Sequence, residues 1–112
     1  MKPGDIVKTP EAGGLWANLP AIVIRVEPRA VTVHTGSAEL VYETDALRPF
    51  GTMKLGRSYA VGKRRFRAVV YTGANGASKE VHVVTRESDA LGEETRALEI
   101  RKLAFALLRA QL

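Results

Sequence analysis

Three runs in the first 45 residues are rich in β-branched side chains and are cut off by turn formers within a few positions. Ala21-Ile22-Val23-Ile24-Arg25-Val26 stops at Glu27-Pro28, and Ala30-Val31-Thr32-Val33-His34-Thr35 stops at Gly36-Ser37. Glu39-Leu40-Val41-Tyr42-Glu43 follows directly. Segments this short suit strands, because a strand reaches its working length in about five or six residues and a helix does not. The second run alternates, with Val31 and Val33 on one face and Thr32 and His34 on the other. Asp5 to Thr9 reads as an earlier strand launched by Pro3-Gly4, and Asp45 to Phe50 as a short closing turn. Between Thr9 and Leu19 lies a long loop with Pro10, Gly13, Gly14 and Asn18, and it carries the only tryptophan, Trp16. Four or five strands at this spacing predict a small barrel or sandwich.

With 112 residues, the chain suffices for one compact domain or for two very small ones sharing a core. A hydrophobic content of 46% and a charged content of 26% are those of a globular protein rather than a disordered one. There is no cysteine, which excludes disulfides, thiolate metal sites and cysteine nucleophiles and suits a reducing cytoplasm. Met1 to Asp5 contains no apolar run of the kind a signal peptide needs, and Leu103 to Leu108 is far too short to span a bilayer. A soluble cytoplasmic protein is expected.

The features Pro3-Gly4-Asp5-Ile6-Val7, the long loop, the strand pair Ile22–Val26 and Val31–Val33, and the closing Leu47-Arg48-Pro49-Phe50 belong together. Over residues 3–50 they resemble the SH3-like small barrels, in particular the KOW and Tudor-like branches. The resemblance implies binding of nucleic acid or protein, without catalysis. Fold by itself does not choose between those ligands.

After Gly51-Thr52 the pattern changes. Arg57-Ser58-Tyr59-Ala60-Val61 reads as a short strand, Gly62-Lys63 as a tight turn and Arg64 to Thr72 as a long strand. Gly73-Ala74-Asn75-Gly76 suits a hairpin turn, with Lys79 to Thr85 returning as the partner strand. Ser88 or Asp89 can cap a helix whose Glu93 and Glu94 suit the positive end of its dipole. Glu93 to Leu112 are good helix formers. At 100° per residue Ala97, Ile100, Leu103, Ala104, Leu107 and Leu108 share a broad apolar face, expected to pack on the sheet. Leu98, Phe105 and Leu112 form a second stripe, either further core or the surface of a homodimer or partner contact. The expected fold is therefore mainly β (α+β). An SH3-like barrel over 1–52 is followed by a basic β-hairpin and C-terminal helix over 53–112, with the two halves sharing one core or holding separate ones. In outline, 57–108 also resemble the AP2-like and phage integrase arm-binding domains, which implies duplex DNA.

Charge supplies the main functional signal. Residues 1–52 carry five basic and six acidic side chains, and residues 83–112 carry five of each. Residues 53–82 carry seven basic side chains against Glu80 alone. A surplus so concentrated is the footprint of a polyanion site. Alternation divides the basic strand into Arg64, Phe66, Ala68 and Val70 on one face and Arg65, Arg67, Val69 and Tyr71 on the other. Phe66, Ala68 and Val70 are expected in the core. Arg65, Arg67 and Tyr71 are then expected outside, where arginines meet phosphates and a ring stacks on a base. Lys63, Arg64, Lys54, Arg57 and Lys79 extend the predicted patch. An acidic protein surface is the competing partner, and a solvated edge that resists aggregation is the structural alternative. Glu39, Glu43 and Asp45 could pair with the basic strand within the molecule or between copies.

Trp16 either lines a ligand groove, where it would add a second stacking face for nucleic acid, or plugs the barrel end. His34 and His82 are single histidines on strands, too few for a metal site. No nucleophile elbow and no glycine-rich phosphate loop ahead of a helix is present, and the carboxylates are scattered. The expectation is a non-catalytic, cofactor-free nucleic-acid-binding protein, or alternatively a protein-interaction module such as an adaptor or small inhibitor.

Overall fold

The short β-branched runs do form strands. The computed structural model describes residues 1–12, 14–85 and 92–112. Among the described residues seven strands are present: β1 (Ile6–Lys8), β2 (Pro20–Val26), β3 (Ala30–His34), β4 (Glu39–Glu43), β5 (Arg48–Val61), β6 (Arg64–Gly73) and β7 (Ser78–Thr85). They make a single antiparallel sheet in the order β4-β3-β2-β1-β5-β6-β7. One helix, α1 (Glu93–Leu108), packs on it, so the class is mainly β (α+β).

The predicted break at Gly51-Thr52 does not occur. β5 runs through it for 14 residues and carries the chain from the first half of the sheet into the second. Gly51 serves a close approach instead of a turn: a Cβ there would meet the Tyr71 ring and, at 2.8 Å, the Thr72 carbonyl oxygen. The closing turn shrinks to a 3-10 turn at Thr44–Ala46, and Arg48 to Phe50 already belong to β5. A bulge between Leu55 and Ser58 then shifts the register with β6.

Two apolar clusters hold the sheet. Val7, Ala21, Val23, Val31, Val33 and Leu47 form the first, flanked by Leu40 and Tyr42. Ile6, Ile22, Met53, Val69, Tyr71 and Val83 form the second, with Ile100, Ala104, Phe105 and Leu108 of α1. Neighbours Ile6 and Val7, like Ile22 and Val23, go to opposite clusters because successive strand side chains point to opposite faces. Covered on both sides, Ile6-Val7 of β1 and Ala21-Ile22-Val23 of β2 are apolar without alternation, as strands buried on both faces are.

The helix is rotated from its expected face by roughly 45°, at 100° per residue. Ile100, Ala104 and Leu108 are buried as expected, but Leu103 and Leu107 are exposed and Phe105 is only 1% exposed. Leu112 packs against the same cluster, so the stripe of Phe105 and Leu112 is core, and the half-buried Leu98 precedes it. A partner surface at Phe105 is thereby excluded. Burying the phenyl ring removes more apolar area from water than burying a leucine would. Two arginines on that side fix the rotation: Arg101 Nε donates to the Met53 carbonyl at 3.1 Å, and Arg109 Nη1 to the Thr35 carbonyl at 3.2 Å. Gly92 is the N-cap and uses no side-chain bond, while Ser88 and Asp89, the expected caps, lie outside the described residues.

Candidate nucleic-acid interface

Gly62, at φ +61°, turns the chain between β5 and β6, so that Val61 faces Arg64 and, two steps further, Tyr59 faces Phe66. Across the next strand pair Phe66 faces Val84, Ala68 faces His82 and Val70 faces Glu80. Alternation of β6 is as expected, but the faces are exchanged. Met53, Val69, Tyr71 and Val83 lie under α1, whereas Phe66 and Ala68 lie on the face away from the helix.

Tyr71 is therefore not an outward stacking platform. It is 5% exposed, and its hydroxyl donates to the Phe50 carbonyl at 3.4 Å. Burial raises its phenol pKa above the usual value. Arg67, on the same face, is half-buried and lines a hollow with Leu55 and with Arg96, Ala97 and Ile100 of the helix. Arg65 is exposed at the start of the strand, on the helix side. Lys79 also points to that side and donates to Gln111 Oε1 at 3.0 Å. The expected patch is thus split between two faces, because helix cover, which strand alternation does not encode, decides which face is solvent.

The open face carries a different constellation. The Tyr59 and Phe66 rings stack with centroids 5.5 Å apart and planes 15° from parallel. The Arg57 guanidinium stands over the Tyr59 ring at 5.3 Å, a cation–π contact. Arg64 shares this face with Phe66, Lys54 shares it with Val70, and Lys63 stands at the hairpin tip. All four basic side chains belong to exposed residues, and among the described residues none forms an ion pair. The tyrosine hydroxyl lies 2.6 Å from His82 Nδ1, and His82 Nε2 lies 2.9 Å from Glu80 Oε1. Ala68 is buried beneath this layer. Phe66, expected in the core, lies here instead, against Tyr59. The two-residue turn at Gly62-Lys63 was the available signal, since it dictates that these aromatics meet across the hairpin.

Internal neutralisation by Glu39, Glu43 and Asp45 does not take place. They sit on or just after β4, at the far end of the sheet from β6 and β7. Trp16 is half-buried in a 3-10 turn (Gly14–Trp16) whose loop is closed by the fully buried Thr9. The threonine hydroxyl donates to the Trp16 carbonyl at 2.5 Å and accepts from the Leu19 N–H at 2.8 Å. The indole lines a groove of about 350 Å³ with Leu19, Pro20, Thr35, Ser37 and Arg109, to which the basic hairpin contributes nothing. Trp16 and the hairpin are thus separate features. His34, on β3, is separated from His82 by four intervening strands. No described helix is long and apolar enough to cross a membrane. The chain matches no family model, no curated protein and no solved structure.

Proposed function

We propose that this chain is a non-catalytic nucleic-acid-binding protein that contacts the phosphate backbone through the open face of the β5–β6 hairpin. The observation that carries the reading is the row Arg57–Tyr59–Phe66 with Lys54, Lys63 and Arg64 around it, all four cations exposed and, among the described residues, without ion pairs. Cations held on a sheet suit phosphates, and the aromatic pair offers apolar surface to sugars and bases. Among the described residues no helix lies on this face to enter a major groove, so binding is sequence-tolerant. Lacking cysteine, the chain suits the cytoplasm.

Fluorescence anisotropy with labelled single-stranded and duplex oligonucleotides at several salt concentrations tests this. Four phosphate contacts give a log-affinity against log-salt slope of about −3 to −4. Changing Arg57, Lys63 and Arg64 together to Ala reduces the slope to about −1, whereas Lys79→Ala on the helix face leaves it unchanged. Absence of binding at low salt, or a triple variant that binds like the wild type, sinks the reading.

The Trp16 groove supports a second reading, a protein-interaction module. Tryptophan is favoured at interface hot spots. A stable protein partner lost in Trp16→Ala, with no affinity for nucleic acid, decides for it.

A further inference from the structure

His82 occupies the middle of the open face with both ring nitrogens engaged, Nδ1 by the Tyr59 hydroxyl at 2.6 Å and Nε2 by Glu80 at 2.9 Å. Its ring stands edge-on to Tyr59, with planes 75° apart. Among the described residues, the charged and titratable groups sharing its face are Lys54, Arg57 and Tyr59 from β5, Arg64 from β6 and Glu80 from its own strand, with Lys63 at the hairpin tip. The helix packs on the opposite face and contributes none.

Two charge states fit this geometry without repacking. In the neutral ring, Nε2–H donates to the Glu80 carboxylate and Nδ1 accepts from the Tyr59 hydroxyl. In the imidazolium both N–H groups donate, and the Tyr59 hydroxyl turns to accept. Neither state strands a donor or an acceptor, so gaining a proton breaks no contact. It does change the field of the face. Glu80 is its one carboxylate among the described residues, and a charged His82 neutralises it, leaving Lys54, Arg57, Arg64 and Lys63 uncompensated.

We propose that nucleic-acid binding on this face is proton-linked, with His82 taking up the proton and Glu80 serving as its internal counter-ion. The inference rests on the nucleic-acid reading above. Phosphates seated beside the ring favour its charged form, and by reciprocity the charged ring tightens the grip on phosphates. Affinity therefore rises as pH falls through the range of about 5 to 8 in which imidazoles titrate.

The test uses rhodamine-labelled oligothymidylate, alone and as a duplex with oligoadenylate, because neither probe changes charge in that window. Between about pH 8 and pH 5.5 the wild type tightens roughly tenfold, the effect of one added charge-assisted contact to phosphate. Its salt slope steepens by about 0.7 to 0.9, one additional phosphate contact. His82→Gln loses the pH dependence, binding with the same affinity at about pH 5.5 as at about pH 8. His34→Gln, altering the one other histidine, keeps it. NMR titration of the His82 ring in the wild type provides a second measurement, with its midpoint rising when oligonucleotide is bound. Binding that is pH-independent, dependence that survives His82→Gln, or an unmoved His82 midpoint overturns the proton link and leaves the interface standing. Absence of binding to either probe at every pH overturns the interface itself, and the link with it.

Discussion

Arg109 lays its guanidinium across Gly36, donating from Nη1 to the neighbouring Thr35 carbonyl at 3.2 Å and filling the space a Cβ on Gly36 would need. The glycine also has φ +104°, a conformation L side chains rarely adopt. Arg101 repeats the arrangement two helical turns earlier, with its Cδ where a Cβ on Gly4 would stand. The end of the chain is thus clipped to turns of the first half by arginines that need bare backbone beneath them. Gly36→Ala should lower stability by about 1–3 kcal/mol through backbone strain and displacement of Arg109. In an Arg109→Ala background the same change should cost less, since only the strain remains. A double-mutant cycle in denaturant measures the difference, and equal costs in both backgrounds refute the clip.

Phe105 and Leu107 are two positions apart on α1 and should respond in opposite ways. Phe105 is 1% exposed and the largest fully buried side chain, whereas Leu107 is 56% exposed. Phe105→Ala should cost about 3–5 kcal/mol, as large core truncations do. Leu107→Ala should stay within about 0.5 kcal/mol of the wild type. Equilibrium unfolding compares them directly. Similar costs would mean that the helix is rotated toward the Leu103 and Leu107 face.

That rotation marks where the sequence ceases to be informative. β2, β3 and β4 were legible because alternation and turn residues are local signals, and β4 runs Glu39 to Glu43 as read. The Gly62-Lys63 turn was legible too, and with it the register of Tyr59 against Phe66 was available to any reader. What alternation withholds is which face is covered. Both faces of β6 carry apolar and basic residues, so neither Phe66 nor Tyr71 declares itself as core. Helix packing decided it by covering Val69 and Tyr71. Gly51 misled for a related reason: a glycine required by a neighbouring ring looks, in sequence, like one required by a turn.

The exchange of faces has a titration signature. Burial holds the Tyr71 phenol above its usual pKa of 10.0. In the unfolded chain the phenol ionises at the usual value, so its contribution to stability is intact below about pH 10. As pH rises from there through the higher folded value, the unfolded state gains by releasing a proton that the native state retains, and stability falls. Tyr71→Phe should flatten this alkaline decline, at the cost of the weak 3.4 Å bond to Phe50. Ultraviolet difference titration of wild type against variant isolates the Tyr71 phenol among the three tyrosines. A difference curve centred near 10 would show Tyr71 in water, restoring the outward stacking platform and undoing the assignment of the open face to Tyr59 and Phe66.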